Sequence, residues 1–278
     1  MSQPDDYLSI NRANWDSRVP LHLQGYDLDR FRSDPNFISK VVAFDQPRLP
    51  EIRGLRGLHL QCHIGTDTIS LSRMGALMTG LDFSPAAIQA ARALDAELKA
   101  GVTYVQGEVY RALEALSNAK VGAGFDFIYT GIGALCWLPN IRQWASVVRT
   151  LFKPGGFLFL REGHPMLWSV GESRPDGVIE ILYDYFEGRG IAFEETHSYE
   201  GTGEVGAPLS ISFNHGLAEI FNALWQEGFE IEVFEEHDSV PWNPLADEFE
   251  PVAETGEWRL KENPRRLAAS YTLVARLS

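Results

Sequence analysis

A regular alternation of apolar runs and helical segments between Gly57 and Gly163 constrains this chain more than any other feature. It opens GLHLQCHIGTDTISLSRMGALMTGLDFSPAAIQAAR. LHLQC (58–62) is a short apolar strand, and Thr66 to Met74 reads as a helix. ALMTGLDF (76–83) is a second strand. Ser84-Pro85 then gives an N-cap followed by proline at the first helical position. Ile88, Ala91, Leu94 and Leu98 recur at helical spacing. VTYVQGE (102–108) and FDFIYTG (125–131) are the third and fourth strands. Trp137 to Phe152 reads as a helix, stopped by Lys153-Pro154-Gly155-Gly156, and FLFLRE (157–162) is the fifth strand. Strands separated by helices predict parallel pairing with right-handed crossovers. Their apolar character predicts a sheet covered on both faces.

The rhythm breaks outside this core. Residues 1–50 read as a polar, aromatic-dotted helical cap, and 51–163 as the α/β core. Residues 164–214, rich in aromatics, glycine and acid, are too long for a plain connection and read as an insertion that roofs a pocket. A helix resumes at Gly216 to Glu227, and FEIEVFEEH (229–237) and SYTLVARL (270–277) are two last strands, fit to pair antiparallel. Between them lies a Pro- and Trp-rich excursion, 238–267. The whole is expected to be one α/β domain.

Ligands of open α/β sheets bind at the carboxyl ends of the strands, where strand order reverses. The first turn there is Gln61-Cys62-His63-Ile64-Gly65-Thr66-Asp67. Gly65 permits close backbone approach, and helix N–H groups from Thr66 onward favour an anion. Asp82 ends the second strand, where a carboxylate can grip two ribose hydroxyls, and Phe83 follows to pack on a base.

In these residues the chain resembles the class I methyltransferases that use S-adenosylmethionine. LHLQCHIGTDT, GLDFSPAAI, VTYVQGEVY, FDFIYTGIGALCWLPN and LFKPGGFLFL resemble that family's successive motifs, in order, over roughly 57–163. The resemblance implies a seven-stranded sheet of order 3-2-1-4-5-7-6 with strand seven antiparallel. It implies S-adenosylmethionine as cofactor and S-adenosylhomocysteine as product. It puts Gly65 under the methionine part, Asp82 at the ribose, Gly107, Glu108 and Val109 at the adenine, and Thr130, Gly131 and Ile132 beside the sulfonium. The family's acidic-x-Gly-x-Gly-x-Gly turn is here Gln61, His63, Gly65 and Asp67. Gln61 keeps hydrogen-bonding capacity without charge, and Asp67 restores a carboxylate from the helix side. Trp15, Trp137, Trp168, Tyr183, His164 and His215 are the expected acceptor pocket, with His164, just after the fifth strand, as candidate base.

The resemblance implies an enzyme that moves a methyl group to a small molecule with an oxygen or nitrogen nucleophile. A cofactor-binding sensor on the same fold is the alternative. A nicotinamide oxidoreductase would need the glycine-rich turn that is missing. The formal charge of −14 repels nucleic acid and anionic membranes. No run of about 18 apolar residues occurs. The polar, acidic N-terminus lacks the build of a secretory signal, and two cysteines within core elements fit a reducing cytoplasm. No ligand-spaced His or Cys pair predicts a metal. A monomer or homodimer is expected.

Overall fold

The computed structural model describes residues 6–174 and 176–278. The chain begins with three helices, α1 (Tyr7–Gly25), α2 (Leu28–Ser33) and α3 (Lys40–Asp45). The core then runs β1 (Arg56–Leu60), α4 (Thr66–Arg73), β2 (Leu77–Asp82), α5 (Pro85–Leu98), β3 (Thr103–Gln106), α6 (Ala112–Asn118), β4 (Phe125–Thr130), α7 (Ile141–Leu151) and β5 (Phe152–Gly163). After it come α8 (Pro165–Trp168), β6 (Ile191–Glu194), β7 (Leu209–Ser212), α9 (Leu217–Gln226) and β8 (Phe229–His237). The last elements are β9 (Ser239–Val240), β10 (Phe249–Val252), β11 (Glu257–Leu260) and β12 (Ser270–Leu277).

Seven strands form one sheet in the order β3-β2-β1-β4-β5-β12-β8. All neighbours from β3 to β5 pair parallel, and β12 pairs antiparallel with both β5 and β8. In chain order this is 3-2-1-4-5-7-6, as the sequence led us to expect. The strand alternation explains why both faces are apolar. Leu58, Leu60, Ile128, Leu158 and Leu160 point into one core with Trp144 and Leu224. Phe127, Tyr129, Phe157 and Phe159 point into the other with Ile88 and Ala91 of α5. Phe127 stacks on Phe157 and Tyr129 on Phe159, each pair with ring centroids 5.5 Å apart and opposite in the β4–β5 register.

Local chemistry sets the helix starts. The Ser84 hydroxyl accepts from the Ala87 N–H at 2.9 Å, with Pro85 next. The helix expected over 137–152 is split. A short 3-10 turn spans Leu135–Trp137, and α7 starts only after Asn140, whose Oδ1 accepts from the Gln143 N–H at 2.9 Å. The excursion 238–267 holds a small antiparallel sheet of order β10-β11-β9, and β6 pairs antiparallel with β7.

Candidate functional site

The turn after β1 is built under strain. Gln61 and His63 take left-handed φ of 56° and 48°, and Gly65 follows at 82°. A Cβ on Gly65 would run into the Tyr104 hydroxyl, so this position needs glycine twice over. Two bonds hold the strained residues. The His63 N–H donates to Asp82 Oδ2 at 2.8 Å, and the Gln61 Nε2 donates to the Ala134 carbonyl at 2.9 Å. Asp82 also accepts the Ser84 N–H at 2.8 Å. Burial pushes its carboxyl up to about 6 against these N–H bonds.

The loop after β4 is held from below by Glu162, near the end of β5. Its buried carboxylate accepts N–H bonds from Gly133, Ala134, Leu135 and Gly163, at 2.6 to 2.8 Å. Burial raises this carboxyl to about 7, and the four donors oppose the rise. Trp137 completes the loop by donating its indole N–H to the Gly133 carbonyl at 2.8 Å.

Two cavities meet at this edge of the sheet. The smaller, about 130 Å³, is lined among others by Gln61, His63, Thr66, Asp82, Phe83 and Glu108. Gly107, Val109, Gly131 and Ile132 also face it. The larger, about 600 Å³, lies over it and takes in Trp168 and Tyr183 from the 164–214 segment and Trp242 from the 238–267 excursion. Trp15, Tyr26, Thr66, Asp67, Ile132, Gly133, Trp137 and Tyr199 line both. The Cβ position of Gly131 is 3.9 Å from Asp67 Oδ2 and 3.5 Å from His59 Nε2, which places both groups over the end of β4.

The α1 helix closes the smaller cavity from above. It buries polar residues because they bond the backbone of β7 and side chains and backbone of the loops beside it. Asn11 donates to the Ile211 carbonyl at 2.9 Å and accepts its N–H at 2.7 Å. Asn14 donates to the Ala207 carbonyl at 2.7 Å. Arg18 bonds Asn14, Ser198 and Glu195. His22 Nδ1 lies 2.8 Å from His63 Nε2, and its Nε2 lies 2.7 Å from the Ser198 hydroxyl. Burial depresses His22 to about 3 and His63 well below its ordinary value, so this pair is neutral. Trp15 packs edge-on against His63 and Trp137, at 5.0 and 5.4 Å.

Four expected site residues, Gly65 of the turn among them, line neither cavity. His164 lines neither cavity. Its Nδ1 accepts the Met166 N–H at 3.0 Å as the cap of α8, and its Nε2 is 3.0 Å from Glu236 Oε1. With Nδ1 spent as an acceptor and Nε2 donating to Glu236, no lone pair is left for a reacting group. His215 lies away from both cavities too, with Nε2 2.7 Å from the Leu138 carbonyl and Nδ1 2.9 Å from Glu187. Thr130 is fully buried, with an unpartnered Oγ1, behind the wall that Gly131 and Ile132 form. The sequence reading missed His22, Tyr26, His59, Glu162 and Tyr199. Of these, only Glu162 carried a signal, as an acid at the end of an apolar strand.

Residues 58–158 match the family model described as a methyltransferase domain. None of the curated proteins matches the chain in sequence. Solved structures do. An S-adenosylmethionine dependent methyltransferase from Mesorhizobium loti shares 20% identity, over 86% of this chain and 98% of that one, with a TM-score of 0.58. A glycopeptide N-methyltransferase complexed with S-adenosylmethionine shares 17% identity over 86% and 94%, with a TM-score of 0.53. A SAM-dependent methyltransferase from Methanosarcina mazei shares 17% over 84% and 96%, at 0.52. At these identities the structural likeness establishes the fold. Together with the family model, it leads to one conclusion: residues 58–158 carry a methyltransferase domain, set in a chain with the Rossmann-like fold of the methyltransferases.

Proposed function

We propose that this chain binds S-adenosylmethionine in the smaller cavity and transfers its methyl group to a small molecule, at oxygen or nitrogen, in the larger one. The observation that carries this reading is the meeting of the two cavities over the end of β4, across the wall they share. The residues fit the cofactor. Gln61 Oε1 is a buried acceptor with no partner in a cavity wall, suited to an amino group. The Asp82 carboxylate faces the same cavity and suits the ribose hydroxyls. Phe83, Gly107, Glu108 and Val109 would flank the adenine, Gly65 and Thr66 the methionine part, and Gly131 and Ile132 the sulfur. When bound, the cofactor supplies a methyl group on a sulfonium, which needs no further activation as a leaving group.

The protein's share of the work is positioning and water exclusion. The room in the smaller cavity, about 130 Å³, is below the roughly 300–1,000 Å³ of ordinary ligand sites. A nucleoside-sized ligand would extend from it toward the larger cavity, with Tyr7, Leu8, Asn11 and Trp15 of α1 along its wall. Neither cavity wall carries a basic patch, and the charge of −14 disfavours nucleic acid as acceptor. Among the described residues no helix is long and apolar enough to cross a membrane. Both cysteines are buried and free, which suits a cytoplasmic place of work.

The test is transfer of label from methyl-labelled S-adenosylmethionine to a panel of small amines, alcohols, phenols and carboxylates. Label in a low-mass product is the expected result. Tight cofactor binding with no transfer to any class would instead make the chain a cofactor-binding sensor.

A further inference from the structure

The wall shared by the two cavities is chemically one-sided. Its polar charged member is Asp67, and around it stand Trp15, Tyr26, Trp137 and Tyr199. The two tyrosine hydroxyls lie 2.6 Å apart, which ties the loop of Tyr199 to the end of α1. His22 and His63 stand behind this group as a neutral pair and bring no positive charge. A box of aromatic faces with one carboxylate is how a protein surface receives a cation.

The larger cavity continues the pattern. It is lined by six carboxylates and two cations. Both cations have carboxylate partners, Arg18 with Glu195 at 2.9 Å and Lys40 with Asp27 at 3.2 Å. Among the described residues, no ion pair engages Asp67, Glu172, Asp184 or Glu200. The nearest buried guanidinium, Arg161 beneath Asp67, is bonded to Glu257 at 2.7 Å and lies 3.8 Å from Asp45. The cavity therefore presents net negative charge on walls that are otherwise aromatic, including Trp168, Tyr183 and Trp242. An anionic acceptor would be repelled, and a neutral one would leave Asp67 with no ion-pair partner in the shared wall.

The geometry points to an amine as the methyl acceptor, one with an aromatic or apolar body, held as an ammonium against Asp67 within the box of Trp15, Tyr26, Trp137 and Tyr199. This rests on the cofactor reading above. The step balances as follows. The Asp67 carboxylate takes one N–H proton, and the freed lone pair forms the N–C bond. The C–S bond breaks as it does so, and its electron pair stays on sulfur as neutral S-adenosylhomocysteine. The nitrogen keeps the positive charge, and the proton on Asp67 leaves through the open larger cavity. Burial raises the Asp67 carboxyl above the usual carboxylate range, which makes it a better proton acceptor than an exposed aspartate.

The test uses the full chain saturated with S-adenosylhomocysteine, so that no sulfonium competes for the box. Tryptamine, tryptophol and indole-3-acetate share one ring and carry a cationic, neutral and anionic head. In calorimetry at pH 7, tryptamine is expected to bind at least about ten-fold more tightly than tryptophol, and indole-3-acetate most weakly, as one charge-assisted contact implies. Asp67→Asn, again saturated with S-adenosylhomocysteine, should abolish the amine preference, and a cooperative thermal unfolding transition like that of wild type reports that the variant is folded. Equal binding by the three, tighter binding of the alcohol or acid, or no binding by any of them overturns the proposal. So does an amine preference that survives Asp67→Asn. Failure of S-adenosylhomocysteine to bind the wild-type chain overturns the underlying reading instead, and shows before any indole is added.

Discussion

Replacing Asn11 by leucine tests how the roof is fastened. The Asn11 side chain is buried and pairs with both backbone groups of Ile211 in β7, at 2.7 and 2.9 Å. Leucine is close in size and fills the space, but offers neither a donor nor an acceptor. The Ile211 N–H and C=O are then left without side-chain partners under the helix. Each buried, unsatisfied polar group costs about 1–3 kcal/mol, which gives about 2–6 kcal/mol for the pair. Burying an apolar side chain in place of the amide offsets roughly 1–2 kcal/mol of this. A net loss of about 1–4 kcal/mol should fall on the docking of α1 against β7 rather than on the sheet, because no strand of the main sheet takes part. Hydrogen exchange separates the two. Amides in 209–213 should exchange at least about five-fold faster, which is about 1 kcal/mol, while β4 and β5 keep their protection. Affinity for S-adenosylhomocysteine should fall as well, because Asn11 and Trp15 both line the smaller cavity. Unchanged exchange at 209–213 would refute the claim that this clamp holds the roof.

Two further perturbations follow from the same geometry. In Gly65→Ala the new methyl meets the Tyr104 hydroxyl at a residue whose φ is 82°. The left-handed conformation alone costs about 1–2 kcal/mol, so denaturant titration should show at least that loss, with weakened cofactor binding. Wild-type stability in this variant would contradict the reading of the turn. The His22 pKa is depressed from 6.5 to about 3, by burial first and Arg18 second. The unfolded chain therefore takes up this proton first as pH falls, and stability drops between about 6.5 and 3, by up to about 1.4 kcal/mol per pH unit. His22→Gln should be less stable at pH 7, having lost its exchange of hydrogen bonds with His63 and Ser198, but its stability should fall less steeply with acid. Equal slopes would contradict a neutral, buried His22.

The sheet was legible because its signal is local and repeated. Apolar strands, the Ser84-Pro85 start and the glycine turn each announce themselves within a few residues. Much of the site turn was legible for the same reason, since Gln61, Gly65 and Asp82 sit at strand ends. The rest depends on partners far away in the chain. His164 looked like a base because it follows β5, yet Glu236 on β8 and the Met166 N–H decide what its nitrogens do. The α1 helix shows no apolar stripe because it buries Asn11, Asn14, Arg18 and His22 against loop backbone and polar side chains. The three-stranded sheet within 238–267 escaped notice because strands of two to four residues carry too little alternation to read. Tyr199 lies in a polar loop and is brought to the site by its bond to Tyr26 and its packing against His22, both far away in the chain.

The most direct measurement of the central claim is calorimetric titration of the chain with S-adenosylmethionine and S-adenosylhomocysteine, with NAD as control and Asp82→Ala alongside. The account predicts that both sulfur compounds bind, that NAD does not, and that Asp82→Ala weakens binding by about ten-fold or more, the worth of one hydrogen-bond contact to a charged group. No binding of either sulfur compound, or binding that is indifferent to Asp82, would contradict it.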